Sequence, residues 1–285
     1  LEKFLAGYNV CLFCYGQTGS GKTYTTMGLP EDVEQAGIFP RAITSLFEYV
    51  EAHGDKNMDV TISCLEIYNE NLRDLLAPGS DTPLHIQNDK FRGVVIKGLT
   101  TTDCISHHQV MSTLDDAISA RTTAATKMNA TSSRSHMIVT VHLTQQDKQN
   151  EIGTTTKESK FHFIDLAGSE RAAKTGAQGS VLKEGAAINK SLMCLGTVIN
   201  SLVKKSSHVP YRDSKLTRIL EDSLGGNSVT IMVGAISPSL SELSETKGTL
   251  RFAQRVSTVT NVAVVNIDPR MARLVALQEE NAALR

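Results

Sequence analysis

Eight residues near the start of the chain combine three glycines with a lysine and a threonine at a fixed spacing. They match the pattern G-x-x-x-x-G-K-[ST] completely and are Gly16, Gln17, Thr18, Gly19, Ser20, Gly21, Lys22 and Thr23. Glycines allow a tight turn in which several backbone N–H groups point at one phosphate chain. Lys22 can then reach the outer phosphates, and the Thr23 hydroxyl can ligate Mg²⁺. The pattern predicts a nucleotide site.

The residues on either side of this loop have the composition that such a site requires. Residues 10–15 form an apolar run without alternation, as expected of a strand that is covered on both faces. A helix can begin at Lys22, and its N-terminus adds a partial positive charge. A chance glycine-rich turn is the alternative, and this strand-before, helix-after context disfavours it.

A second motif, Asp-Leu-Ala-Gly-Ser-Glu, occupies residues 165–170. The apolar residues 161–164 precede it like a buried strand, so Asp165 should lie at the C-terminal end of a strand, where ligands bind in open α/β sheets. Its carboxylate can support Mg²⁺ through the water shell of the ion. Gly168 lets the backbone N–H approach a terminal phosphate. The Asp-x-x-Gly pattern alone is weak, because it recurs across many nucleotide switches.

A third motif, Asn-Ala-Thr-Ser-Ser-Arg-Ser-His, occupies residues 129–136. The hydroxyls of Ser132 and Ser133 can position a magnesium ion and an attacking water. Arg134 can pair with Glu170 and close the pocket. Taken alone, the serine run could equally be an ordinary polar loop, but three motifs in this order favour a nucleotide-driven switch.

With these motifs in this order, the chain resembles the kinesin motor domain over nearly all of its length. Residues 188–199 and 208–218 resemble the family's main microtubule-binding helix and the loop and helix after it. The resemblance implies an α/β fold of the P-loop NTPase type, with a mixed, mostly parallel central sheet and helices on both faces. It also implies a microtubule-stimulated ATPase with Mg²⁺ as cofactor, ATP as substrate and the microtubule as partner in the cytoplasmic cytoskeleton.

The resemblance also implies roles for individual residues. Residues 16–23 would bind the phosphates, and Tyr24 would stack on the adenine. Thr23 and Ser133 would ligate Mg²⁺, supported by Asp165 through water. The remaining roles fall to Ser132 for the lytic water, Gly168 for sensing the γ-phosphate, and Arg134 with Glu170 for closure.

Between residues 204 and 218 the chain carries five Lys or Arg against one Asp, a local balance of +4. Such a patch would attract an acidic surface such as tubulin, and salt would weaken the contact. The cluster alone could also be a solvated helix face. With the resemblance, the predicted microtubule contacts are Lys174, Lys204, Lys205, Tyr211, Arg212, Lys215 and Arg218.

The resemblance divides the chain into a motor domain at 1–259, a neck linker at 260–269 and the start of a coiled coil at 270–285. Asn266 would latch the docked linker, and a linker after the motor implies plus-end movement. Since the first strands found in the family are not among these residues, 262–265 should be mobile or docked only along the core. The spacing of Leu274, Leu277, Asn281 and Leu284 fits a heptad seam and a homodimer, or a single surface helix.

Composition is consistent with this interpretation but is not specific. The chain has 285 residues, 40% of them hydrophobic, and a net charge of −1, which disfavours a generic polyanion binder. The five scattered cysteines are typical of reduced core thiols, although Cys11 and Cys14 have C-x-x-C spacing. No apolar run is long enough to span a membrane, and no signal peptide is visible.

The periodicities predict the remaining elements only coarsely. Helices are predicted from residue 22, with a break over 28–37, and then over 42–50, 106–125, 185–205, 216–224 and 242–258; strands are predicted over 59–67, 137–143 and 229–236. Two departures from the family pattern are Thr26, where methionine is usual, and Ala187, where asparagine is common.

Two other functions remain open at this stage. One is a kinesin-like module that binds microtubules without productive hydrolysis. The other is a GTPase-type switch, which would need an Asn-Lys-x-Asp motif. Residues 189–192 read Asn-Lys-Ser-Leu and lack that aspartate.

Overall fold

The computed structural model describes residues 1–29, 32–54, 57–89, 92–128, 132–149, 153–170, 180–267 and 277. The helices are α1 (Glu2–Leu5), α2 (Lys22–Thr26), α3 (Ile38–Ala52), α4 (His107–Met128), α5 (Ser180–Val203), α6 (Lys215–Ile219) and α7 (Leu243–Val256). The strands are β1 (Val10–Tyr15), β2 (Asn57–Tyr68), β3 (Asn71–Asp74), β4 (His85–Asp89), β5 (Gly93–Lys97), β6 (Thr102–Asp103), β7 (His136–Gln149), β8 (Gly153–Asp165) and β9 (Val229–Gly234). Within these ranges no helix is both long and apolar enough to cross a membrane.

The central sheet has the order β3-β2-β7-β8-β1-β9, with β6 added beside β2. Strand β1 pairs in parallel with both β8 and β9, whereas β7 is antiparallel to β2 and β8. Consequently β2, β8, β1 and β9 run in one direction, and β3, β6 and β7 run against them. The predicted mixed α/β sheet is therefore confirmed, and the loops after β1 and β8 leave the sheet at the same edge.

Strand β1 shows why helices cover both faces of the sheet. Its side chains alternate between two buried clusters, because successive residues of a strand point to opposite faces. Val10 and Leu12 join one cluster with α3 and α4, while Phe13 joins the other with α5, α6 and α7. Both faces of β1 are thus buried, which accounts for its unbroken apolar run.

The two cysteines of β1 follow the same alternation. Cys14 belongs to the α3–α4 cluster and Cys11 to the α5–α7 cluster, so the two thiols lie on opposite faces of the sheet. Burial raises the pKa of Cys11 to about 12, and it also raises the pKa of Cys14. The thiols therefore stay protonated and pack as small apolar groups.

One predicted helix is wrong at its end. The pattern predicted helix over 216–224, but α6 ends at Ile219 and the chain continues as turns. The Ser223 carbonyl accepts hydrogen bonds from the side chains of Thr230 and Asn261, and the Asp222 carboxylate accepts from Val94 N. These contacts tie residues 222 and 223 to β5, β9 and residue 261, and they stabilise the turns that follow α6.

The β4–β5 hairpin lies outside the main sheet and covers a polar part of it. His162 on β8 is hydrogen-bonded to Thr140 on β7 at 2.9 Å. Lys160 Nζ donates to the hairpin carbonyls of Arg92 and Val94. Burial, and then the charge of Lys160, lower the pKa of His162 from 6.5 to about 3 and that of His142 to about 4.

These histidines predict a loss of stability in mild acid. Their folded-state pKa values lie below the unfolded value of 6.5, so the unfolded chain binds more protons between pH 6.5 and about 4. Their contribution is complete above pH 6.5 and is lost as the pH falls, by up to about 1.4 kcal/mol per pH unit for each group. Urea unfolding at pH 7, 6 and 5 should show His162→Gln with a shallower pH dependence than the parent. Equal slopes would contradict this assignment.

Candidate functional site

The loop after β1 has the backbone conformation that a phosphate cradle requires. Gly19 and Gly21 adopt φ values of +78° and +97°, in the left-handed region that favours glycine. Gly16 lies so close to the Ala235 carbonyl that a Cβ would collide with it. Only glycine fits these three positions without strain, as the pattern predicted.

Lys22 lies inside this loop and is 8% exposed. Its Nζ donates to the carbonyls of Gly16 at 3.0 Å and Gln17 at 2.9 Å. Burial lowers the pKa of Lys22, while Asp165 and Glu170 act in the opposite direction. The loop therefore holds its cation at the place where the motif predicts the phosphates.

Thr23 and Asp165 form the group that could hold a magnesium ion. Thr23 Oγ1 donates to Asp165 Oδ2 at 2.7 Å, which joins the start of α2 to the end of β8. The other carboxylate oxygen, Oδ1, is buried and has no hydrogen-bond partner among the described residues. A hydroxyl and a buried carboxylate with a spare oxygen are hard ligands of the kind Mg²⁺ prefers. These residues fit the ion directly or through its water shell.

The three motifs predicted from the sequence meet through backbone hydrogen bonds. Gly168 N donates to Ser133 O at 3.0 Å, and Ser169 N donates to Gly16 O at 3.1 Å. The segment 165–170 therefore contacts both the phosphate loop and the serine motif. Ser132 lies in the same short turn as Ser133, and its side chain is outside the described residues.

Glu170 lies at the phosphate loop. Its carboxylate accepts from Thr18 N at 2.9 Å and from Thr18 Oγ1 at 2.5 Å. A Cβ at Gly168 would collide with both groups, so glycine is needed for this approach. The predicted pair between Glu170 and Arg134 is not among the described contacts of Glu170 and stays a prediction.

Tyr24 follows the phosphate loop at the surface. It is 52% exposed, and its hydroxyl donates to Gln35 Oε1 at 3.3 Å. An exposed ring next to the loop is compatible with stacking on a base, which stays a prediction.

A buried charged group lies behind the site and was not predicted from the sequence. Arg121 on α4 forms an ion pair with Glu66 on β2 at 3.4 Å and lies 4.0 Å from Asp165 Oδ2. It also donates to the carbonyl of Ser135 at 3.0 Å. The available signal was Glu66, a carboxylate inside an apolar strand, because a buried charge requires a partner.

The basic cluster predicted over 204–218 lies after α5 and around α6. Lys204, Lys205, Arg212 and Lys215 are exposed, and Arg218 is half-buried. Lys174 lies outside the described residues. Tyr211 differs from the others, because its hydroxyl donates to the Leu224 carbonyl at 2.5 Å and ties the loop to the core. Burial raises the pKa of Tyr211 to about 12.

Residues 260–267 of the predicted neck linker run along the core. Val262 N donates to Gly226 O, and Val264 N donates to Asn227 Oδ1. Asn266 accepts from Asn227 Nδ2 at 2.8 Å and donates from its own side chain to Gly7 O. The Asn266 side chain therefore contacts the core, and its role as a latch stays a prediction. Apart from Leu277, the predicted heptad seam lies outside the described residues.

Comparisons with known proteins agree with this geometry. The kinesin motor domain family model matches residues 1–259. Kinesin-like protein unc-104 of Caenorhabditis elegans is 45% identical over 100% of this chain and 19% of its own length. Chromosome-associated kinesin KIF4B of Homo sapiens is 46% identical over 98% of this chain and 23% of its own length. The chain thus spans about a fifth of these relatives.

A solved structure of a fast kinesin has the same fold, with a TM-score of 0.86 and 45% identity. The likeness covers 94% of this chain and 75% of that one. A family match over most of the chain and a structural match at this identity lead to one conclusion. The chain belongs to the kinesin motor domain family.

Proposed function

We propose that this chain is an ATP-driven microtubule motor domain, in which hydrolysis of Mg-ATP is coupled to microtubule binding and movement of the linker. The observation that carries the proposal is the meeting of the phosphate loop, residues 132–136 and residues 165–170 at one edge of the sheet. All three groups needed for phosphoryl transfer to water are then adjacent: a phosphate cradle, oxygen ligands for a metal and the Glu170 carboxylate.

The chemistry of the proposal is positioning and charge neutralisation. Loop N–H groups and Lys22 would bind the phosphates, while Thr23, Ser133 and Asp165 would hold Mg²⁺. When bound, the ion neutralises charge on the outer phosphate oxygens. Ser132 and the Arg134–Glu170 pair orient a water for attack on the γ-phosphorus, and the bond to the bridging oxygen of ADP breaks.

In the proposed cycle, the Ser133 carbonyl and the γ-phosphate compete for the N–H of Gly168. Its N–H donates to the Ser133 carbonyl in this structure, whereas sensing of a γ-phosphate requires the same N–H. ATP would therefore exchange a contact between two protein segments for a contact with the nucleotide. Such an exchange is the kind of local change that biases a two-state element.

If Lys204 and Lys205 lie on the surface that binds the microtubule, changing them should alter microtubule affinity without altering basal ATP turnover. Reversing the charge of Lys204 and Lys205 together should raise the microtubule concentration for half-maximal stimulation about tenfold at low salt, because exposed charges steer and hold an acidic partner. Basal ATPase should hardly change. Lys3→Glu is the matched control, since Lys3 is exposed on α1, on the opposite face of the sheet. Loss of basal activity with unchanged track affinity would show that the pair is structural.

The proposed direction rests on the linker that follows the motor. Residues 260–267 lie along the core, with Asn266 hydrogen-bonded to Gly7 and Asn227. We take this as the docked position, and a linker that moves into it from an undocked position carries the following segment forward along the motor. A gliding assay with polarity-marked microtubules should show plus-end-directed motion. Asn266→Ala should slow that motion severalfold and leave microtubule-stimulated ATPase largely intact. Steady minus-end movement would contradict the proposal.

A further inference from the structure

His136 stands where three parts of the site meet. It is the last residue of the motif at 129–136 and the first residue of β7. Its Nδ1 lies 3.0 Å from the backbone N of Ala167, and its Nε2 lies 2.7 Å from Ser191 Oγ on α5. Both His136 and Ser191 are 2% exposed, so water does not compete for these bonds.

The donors and acceptors fix the tautomer of this ring. The N–H of Ala167 can only donate, so Nδ1 accepts and carries no proton. The single proton of the neutral ring is then on Nε2, which donates to Ser191 Oγ. Burial lowers the pKa of His136 to about 3, and the nearby charges of Arg121 and Lys22 act in the same direction. The ring therefore stays neutral and keeps one acceptor end and one donor end.

The Ala167 contact lies one residue before the proposed sensor of the γ-phosphate. Gly168 N donates to Ser133 O, and a phosphate that draws this N–H away must also shift the peptide before it. His136 is the side chain bonded to that preceding peptide N–H. Because its other end is bonded to Ser191, a shift of Ala167 moves a contact of α5.

The helix α5 extends from this contact to the basic cluster. It ends at Val203, next to Lys204 and Lys205. A helix is stiff over such a length, so a displacement at Ser191 also displaces its end. His136 thus connects the phosphate side of the site to the proposed track surface through two hydrogen bonds.

We propose that His136 is a positioning residue, which couples the conformation of residues 165–170 to α5 through the Ala167 and Ser191 bonds. The inference rests on the proposed function, since it assigns the connection between the nucleotide and the track. His136 does not touch the nucleotide in this account and takes part in no proton transfer.

The alternative is that His136 only stabilises the core, as a buried histidine with both ring nitrogens hydrogen-bonded. In that case its loss would lower the stability of the whole motor, and basal and stimulated activities would fall together. A coupling role predicts that only stimulation by the track falls. The two accounts therefore differ in the ratio of stimulated to basal ADP release.

The test compares Ser191→Ala, His136→Asn and the double variant. Asparagine places an oxygen near the position of Nδ1 but is too short to reach Ser191. Each single variant should lower microtubule-stimulated ADP release about fivefold, because each breaks the buried hydrogen bond between His136 and Ser191. For Ser191→Ala, basal release and the KM for ATP should stay within about twofold of the parent. The double variant should be no worse than either single variant.

Several outcomes would overturn the inference. These are equal losses of basal and stimulated release, effects that multiply in the double variant, or unchanged stimulation in both single variants. If His136→Asn does not fold, His136→Gln replaces it, since its amide reaches towards Ser191 and leaves the Ala167 N–H unpaired. It should lower stimulation in the same way. A parent protein without any stimulation would instead refute the proposed function.

Discussion

Replacing Lys22 with methionine should lower the affinity for Mg-ATP by about 100-fold or more. The Lys22 ammonium is buried in the phosphate loop, where it donates hydrogen bonds to the carbonyls of Gly16 and Gln17. Truncating a buried, hydrogen-bonded charge at a binding site has an effect of this size, because its partner charge is left unpaired. Titration with a fluorescent ATP analogue, in the presence of Mg²⁺, measures the change directly.

The control for Lys22 separates binding from folding. The ammonium also satisfies two loop carbonyls, so the variant should melt at a somewhat lower temperature without nucleotide. Lys97→Met removes an exposed lysine of β5 and should leave both affinity and melting temperature unchanged. Normal ATP affinity in Lys22→Met would contradict the assignment of residues 16–23 as the phosphate cradle.

Glu170→Ala should abolish microtubule stimulation while ATP binding remains. The carboxylate accepts hydrogen bonds from Thr18 N and Oγ1, and we propose that it leaves them to pair with Arg134 when the pocket closes. Without it the lytic water is not held, and stimulated turnover should fall about 100-fold or more. Steady-state turnover and nucleotide titration on the same preparation distinguish loss of chemistry from loss of binding.

Two further variants show which partner of Glu170 matters. If Arg134 is the catalytic partner, Arg134→Ala should reproduce the loss, and Arg134→Ala with Glu170→Ala should be no worse than either alone. Thr18→Val removes the hydroxyl bond to Glu170 and should have a much smaller effect on turnover. Unchanged stimulation in Glu170→Ala would refute the closure assignment.

The sequence indicated where the local parts of this candidate site lie in the fold. The glycines of the phosphate loop, Lys22 and Thr23 lie in one continuous segment, whose spacing alone sets the geometry. Asp165 was placed correctly at the end of a strand because the preceding residues form an unbroken apolar run. These are short-range features, and their physical causes are visible in neighbouring residues.

Contacts between distant segments could not be predicted in the same way. The bond between Thr18 and Glu170 joins residues 152 positions apart, and no local pattern indicates it. The Arg121–Glu66 pair and the His136 bridge likewise depend on how β2, β7, α4 and α5 pack together. The motifs indicated which residue types the site contains. Their contact partners in distant segments are visible only in the folded structure.

The predicted lengths of some elements were wrong for a related reason. Strand β7 was predicted to end near Leu143, where apolar alternation stops, but it continues to Gln149 by pairing with β8. Backbone hydrogen bonds of an antiparallel ladder do not need an apolar face, so polar residues extend the hairpin beyond the core. The β4–β5 hairpin was not predicted at all, although Ile86 joins the α5–α7 cluster and Val94 and Ile96 pack against it.

The most direct test of the account is steady-state ATP hydrolysis measured with and without microtubules. The protein should hydrolyse Mg-ATP slowly alone and at least about tenfold faster with microtubules. Added salt should weaken this stimulation, because the proposed contact is made by exposed charges. Removal of Mg²⁺ by a chelator should abolish turnover. Turnover that is the same with and without microtubules, in a protein that binds ATP normally, would contradict the central claim that nucleotide and track are coupled.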